Sequence, residues 1–250
     1  MLAALVSSVE NKKAELDRLR PLPPRALEGL EHAHDLELTY TSNAIEGNGL
    51  TQIETNLVIE QGIAIGGKRL RDHLEAVDHH DAIRYVRDLA GRDTPLTESD
   101  VRSLHALALK RSEPEIAGRY ATSNRYVNTD RGRRAFPSPA EVPALMGDFA
   151  AWLRAAPLVP ETAFAAHRSL VDIHPFDDGN GRTARLLMNL ILIRGGYPPV
   201  AVRPDDRLVY LGSLKEAQAG RGDADFRRLL YQRLDATLDE YLRAARAALA

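Results

Sequence analysis

Residues 174–185 read His-Pro-Phe-Asp-Asp-Gly-Asn-Gly-Arg-Thr-Ala-Arg. They set an imidazole, two carboxylates, two glycines, an amide and two guanidinium groups directly ahead of an apolar run, Leu186 to Ile193. The run predicts a buried helix over about 182–194, so a polar loop feeds a helix start. The first N–H groups of a helix have no intrahelical partner and its dipole favours negative charge there, which makes a ready anion site. Gly179 and Gly181 allow a close backbone approach. Arg182 and Arg185 are three apart, share a helix face, and can fork onto phosphate oxygens. Asp178 can hold Mg²⁺, which takes one or two carboxylates plus substrate phosphates. His174 has the only side chain here that ordinarily titrates near neutrality, and is the natural proton acceptor. Singly, Gly-Asn-Gly is often only a turn, and an arginine pair is often a solvated face. In this order they point to Mg²⁺-nucleotide binding with a histidine base, because arginines at a helix N-terminus ask for a compensating anion.

Working outward, residues 161–172 form the helix that enters the loop. Upstream, helices are expected over 2–20, stopped by Pro21, Pro23 and Pro24, and over 25–45, ending at Gly47. Thr51 to Glu54 resembles a capping box and opens a short helix broken by Gly62, Gly66 and Gly67. Leu70, Leu74, Val77, Ile83, Val86 and Leu89 mark a helix over 69–90, and another spans 97–110 with Thr97 at its cap. The texture changes at 117–137, which lacks helical periodicity and reads as a hairpin or irregular flap. Ser138 at the cap, Pro139 first and Glu141 third predict a helix running through Trp152. Residues 198–204 are extended, and helices at 205–219 and 223–247 close the chain. The fold class is all-α with one small β element.

With 250 residues the chain has room for one large domain or two small ones and a substantial core. A net charge of −2 gives no general pull towards nucleic acid or anionic membranes. There is no cysteine, hence no disulfide and no thiolate metal site. No run reaches the ~18 apolar residues of a spanning helix, and the opening Met1-Leu-Ala-Ala-Leu-Val is too short for a secretory core. A soluble, cytoplasmic protein is expected. The spacing of His32 with His34, and of His73 with His79 and His80, does not bring three ligands and a carboxylate to one helical face. His105 and His167 sit in apolar helical surroundings and read as core residues. Phe176 reads as the loop's anchor in the core.

The 174–185 segment resembles the signature of the Fic domain, His-x-Phe-x-(Asp/Glu)-Gly-Asn-Gly-Arg-x-x-Arg, at every fixed position. Residues 163–173 before it and Gly195-Gly196-Tyr197-Pro198 after it look similar too. The resemblance implies a Fic-type helical bundle with a β-hairpin flap, and transfer of AMP from ATP to a Ser, Thr or Tyr hydroxyl of a target protein. It implies that His174 deprotonates that hydroxyl, that Asp178 ligates Mg²⁺, that Gly179, Asn180 and Gly181 hold the α- and β-phosphates, and that Arg182 and Arg185 take the outer phosphates.

A second segment, Ser42-Asn-Ala-Ile-Glu46-Gly47, looks like the family's inhibitory motif, which implies that Glu46 pairs with Arg185 and blocks the γ-phosphate. That divides the chain into an N-terminal helical region, 1–95, carrying an inhibitory helix at about 36–47, and a catalytic core, 96–250, in one compact unit. The resemblance also places Val127, Arg134, Ala135 and Phe136 in a flap that aligns the target by main-chain pairing, with Tyr210 and Gln218 at the nucleoside. ATP and a hydroxyl-bearing protein are the implied partners, with self-modification and a homodimer as further options and neither nucleic acid nor membrane among them. Two other readings stay open: the same site removing AMP or transferring another nucleotide or phosphate group, and a non-catalytic nucleotide-sensing module.

Overall fold

A computed structural model of the chain describes residues 2–22, 28–129 and 132–249. Among them are ten helices, α1 (Leu2–Leu19), α2 (Glu28–Ile45), α3 (Gln52–Gln61), α4 (Leu70–Ala90), α5 (Glu98–Ala108), α6 (Val142–Ala155), α7 (Pro160–Ile173), α8 (Asn180–Arg194), α9 (Arg207–Gln218) and α10 (Ala224–Leu249). One antiparallel pair, β1 (Tyr126–Thr129) and β2 (Gly132–Ala135), lies between α5 and α6. The all-α reading with a small β element therefore holds. Pro23, Pro24 and Arg25 of the expected first break lie outside the described residues.

Helix α8 is the axis of the fold. Leu186, Leu187, Met188, Leu190, Ile191 and Leu192 are all buried, as a helix apolar on every side must be. Helices α7, α4, α5 and α2 pack against it, and α1 packs along α10. Because the run begins straight after the glycines, burying it fixes the polar loop at one end of the core. Among the described residues no helix is long and apolar enough to cross a membrane.

Local capping follows the sequence closely. The Thr51 hydroxyl accepts from the Glu54 N–H at 3.2 Å and the Glu54 carboxylate from the Thr51 N–H at 2.7 Å, closing the expected box. Thr97 and Asp100 make a second box ahead of α5. Three boundaries differ. Ser138 and Glu141 do close on each other, with the Ser138 N–H donating to the Glu141 carboxylate at 2.8 Å, but they close a turn, and α6 starts only at Val142. Helix α5 ends at Ala108, short of Lys110. Helix α8 begins at Asn180, so Gly181 is already in its first turn. Leu70 departs from the expected stripe: it is the first residue of α4 and 73% exposed.

In the hairpin, Tyr126 faces Ala135 and Val127 faces Arg134. Side chains alternate across a strand, so Val127 and Arg134 share one face, and Tyr126, Arg133 and Ala135 the other. Arg134 donates to the Gln218 carbonyl at the end of α9, which turns its face towards the body. The hairpin is rooted by the Phe136 N–H on the Arg125 carbonyl at 3.0 Å, and Ala121 ties the segment before it to the Pro175 carbonyl at 2.9 Å.

Candidate active site

The loop between α7 and α8 turns twice through left-handed backbone. His174 ends α7 at φ 51°, and Gly179 precedes α8 at φ 72°. Left-handed geometry is unfavourable for a residue with a side chain, so it persists at His174 only because the surroundings enforce it. They do so from both sides. The Asn180 side chain accepts from the Phe176 N–H at 3.0 Å and donates to the Phe176 carbonyl at 2.8 Å, a staple across the turn. Phe176 is fully buried and stacks on His105 with ring centres 3.7 Å apart, so it is the core anchor the sequence suggests. Gly179 has no alternative: a Cβ there would lie 2.5 Å from Leu109 Cδ1.

His105 is more than filler. Its Nδ1 lies 2.8 Å from the Gly118 N–H, which can only donate, so Nε2 carries the proton and donates to the Asp178 carbonyl at 3.0 Å. Burial pushes its pKa down to about 4, consistent with a neutral ring.

His174 is partly covered. Its ring stacks on Phe136 at 3.9 Å, and Nδ1 is 3.3 Å from the Val171 carbonyl. With Nδ1 donating, Nε2 offers a lone pair. Burial lowers the His174 pKa to about 4, with Arg125 adding to the shift and the Val171 carbonyl, Asp178 and Glu46 opposing it. The imidazole is therefore neutral near pH 7 and competent to take a proton. Phe136, expected to dock a target, thus also covers this ring.

Arg182 and Arg185 are buried at the start of α8, 2% and 4% exposed. Arg182 lies 3.4 Å from Asp178 and 3.6 Å from Glu75, and its Nε has no hydrogen-bond partner. A buried guanidinium donor with no partner among the described residues leaves hydrogen-bonding capacity at this helix start unfilled. Four of the five N–H donors of Arg185 are engaged. Nε donates to the Ser42 hydroxyl at 2.9 Å, one terminal nitrogen to the Ser42 carbonyl at 3.0 Å and to Glu46 Oε1 at 2.7 Å, and the other to the Tyr210 hydroxyl at 3.3 Å. Burial disfavours the Arg185 charge, but Tyr210 and Glu46 more than offset this and its pKa is raised. Glu46 follows the last residue of α2 and rests on Gly181, where a Cβ would come within 2.5 Å of its Oε1.

Asp178 is half exposed. Oδ1 accepts from the Gly179 N–H at 2.6 Å, and Oδ2 faces Arg71 at 3.3 Å as well as Arg182. One carboxylate at the mouth of a helix N-terminus suits Mg²⁺ brought in on phosphates, because that ion keeps most of its ligands from substrate and water. A cage of protein ligands is a different matter: among the described residues no group of three or more His, Asp or Glu side chains could hold a metal.

The sequence-predicted residues thus fall into two sets. His174, Asp178, Gly179, Asn180, Gly181, Arg182, Arg185, Ser42 and Glu46 converge on one loop. Of the flap and nucleoside candidates, Val127 is half-buried, Ala135 is exposed on the outer face and Arg134 is engaged with Gln218. Tyr210 is 1% exposed and bonded to His167 at 2.7 Å as well as to Arg185; in this structure it backs the arginine instead of lining an open nucleoside surface. Sequence reasoning missed Arg71 and Glu75, which sit on a helix far from the loop in sequence, and gave His105 only a core role. A cavity of ≈450 Å³ around Gly91, Pro95 and Arg194 shares no residue with this site.

Residues 95–192 match the profile of the Fic/DOC family. The protein adenylyltransferase Fic of Nematostella vectensis is 38% identical over 209 residues, covering 81% of this chain and 48% of that protein. The protein adenylyltransferase fic-1 of Caenorhabditis elegans is 36% identical over 211 residues, 82% of this chain and 41% of that protein. The chain spans about half the length of the curated relatives it matches. Among solved structures, a Fic domain containing signaling protein from Bacteroides thetaiotaomicron superposes with a TM-score of 0.86 at 30% identity, covering 96% of this chain and 97% of the other. Fic-1 from C. elegans gives 0.84 at 31%, covering 97% and 71%.

Proposed function

The chain belongs to the Fic/DOC family, and on that premise we propose that it is a protein adenylyltransferase, held in check by its own Glu46. ATP would bind with its phosphates at the start of α8, on Gly179, Asn180 and Gly181 and the guanidinium of Arg182. Asp178 would hold the Mg²⁺ carried by the nucleotide, which supplies neutralisation of phosphate charge. The target hydroxyl oxygen attacks the α-phosphorus, the bond from that phosphorus to the α,β-bridging oxygen breaks, and pyrophosphate leaves. His174 Nε2 takes the hydroxyl proton. In-line transfer of this kind depends on positioning and charge neutralisation more than on covalent help from the protein. The hairpin, with its exposed strand edges, would align the target segment by strand addition.

The observation that carries the reading is the neutral His174 beside a glycine-lined helix start with two buried arginines, one of them already occupied by an internal carboxylate. A non-catalytic nucleotide sensor needs the arginines but not the histidine. The test is incubation of the purified chain, and then of a cell lysate, with labelled ATP and Mg²⁺. Label must appear on the chain or on a lysate protein, vanish in His174→Ala, and have the mass of AMP. A different adduct mass would move the assignment to another donor, and binding without any label would move it to the sensor. One observation favours a second activity at the same site. Glu46 holds Arg185 through Oε1 alone, which leaves Oε2 to orient a water, so AMP removal from a modified protein is worth assaying in parallel.

A further inference from the structure

We propose that Arg71 sets the divalent-cation affinity of this site by competing for the Asp178 carboxylate, an inference that rests on Asp178 being the cation ligand. Arg71 lies on the first turn of α4, far in sequence from the loop, and bridges three carboxylates. Its Nε is 2.9 Å from Glu75, one terminal nitrogen 2.9 Å from Glu113, and the other 3.3 Å from Asp178 Oδ2. Arg182 meets the same Oδ2 at 3.4 Å, and the Gly179 N–H takes Oδ1. Both oxygens of Asp178 are therefore engaged.

The two guanidiniums differ in freedom. Arg182 is buried in the core of the site, whereas the Arg71 side chain is 46% exposed. Arg71 can leave Asp178 and stay paired with Glu75 and Glu113, so yielding to a dication breaks only its longest contact. A dication on Asp178 and an unmoved guanidinium at the same oxygen would repel each other. The site therefore opens to the cation only when Arg71 swings back, and its affinity carries that cost.

The experiment is a titration of Mn²⁺, followed by electron paramagnetic resonance, into the full chain saturated with α,β-methylene ATP, which binds but cannot be split at the reacting bond. Arg71→Gln should tighten Mn²⁺ binding by about fivefold, the upper range for losing one exposed ion pair. In an Asp178→Asn background the same substitution should change nothing. Unchanged or weaker Mn²⁺ binding in Arg71→Gln overturns the inference, the weaker outcome making Arg71 a phosphate ligand. An equal gain in the Asp178→Asn background also overturns it, since the effect would then come from the freed Glu75 and Glu113. If Asp178→Asn alone leaves Mn²⁺ affinity intact, Asp178 is not the ligand and the assignment of the cation fails first. Thermal melting of each variant checks that the fold is retained.

Discussion

Glu46→Ala isolates the contact on which the proposed self-restraint depends. The carboxylate gives Arg185 one charge-assisted hydrogen bond of 2.7 Å. Such a bond contributes about 1.5–3 kcal/mol when well protected. The Glu46 side chain is 41% exposed, so water screens it and about 1–2 kcal/mol is the better figure. A productive nucleotide must displace that bond, so its removal should raise initial labelling rates at sub-saturating ATP by about 5- to 30-fold, at tenfold per 1.4 kcal/mol. The arginine is not orphaned by the change, since Ser42 and Tyr210 still accept from it, so the loss should stay near that figure and lower the melting temperature by only about 2–8 °C. Glu46→Gln keeps an acceptor without the charge and should fall between. The assay is transfer of labelled AMP at fixed Mg²⁺, with the nucleotide affinity of each variant measured by calorimetry. A rate within twofold of wild type, with affinity unchanged, would refute autoinhibition through this pair.

Gly179→Ala should lower stability by roughly 1–3 kcal/mol in chemical denaturation, because it combines a left-handed backbone with a 2.5 Å approach to Leu109. Gly181→Ala should cost about 1–2 kcal/mol in wild type through its clash with Glu46, and clearly less in Glu46→Gly, where a denaturation cycle should give a measurable coupling. Transfer activity should hold as the solution is acidified from pH 7 and fall only towards pH 4, since burial lowers the His174 pKa to about 4 and the base works while neutral; a rate profile breaking near 6.5 would contradict this. Stability should behave differently. His105 and His167 have folded pKa values lowered to about 4 and about 3, so below 6.5 the unfolded chain binds more protons and each group removes up to about 1.4 kcal/mol per pH unit; urea midpoints measured from pH 7 to 4.5 should decline.

Much of this was legible in the chain itself. The apolar run after Gly181 announced the central helix because burial on all sides leaves no periodicity to misread. The boxes at Thr51 and Thr97 were local chemistry, and local chemistry is what a sequence displays. Ser138 misled by three residues: its box forms, but Ser138 and Glu141 close a turn before the helix begins at Val142. The loop residues could be assigned together because one segment holds them. Arg71 and Glu75 could not, since nothing in α4 distinguishes them from the arginines and acids on its solvated side, and only folding brings them to Asp178. Tyr210 was expected at the nucleoside only through the family resemblance, and its bonds to His167 and Arg185 lie beyond what helical periodicity displays. His105 looked like an ordinary core histidine, and only coordinates reveal that its two nitrogens join two separate backbones.

The helix whose end brings Glu46 to Arg185 is also the helix that seats the arginine. Ser42 supplies a hydroxyl and a carbonyl to the guanidinium, four residues before Glu46 supplies a carboxylate. Brake and bearing are one part. Cutting α2 away to free the enzyme would strip a deeply set cation of its neutral support, and the phosphate seat would loosen along with the restraint. If Glu46 restrains the site as proposed, release would have to swing one carboxylate aside while the rest of the helix stays put.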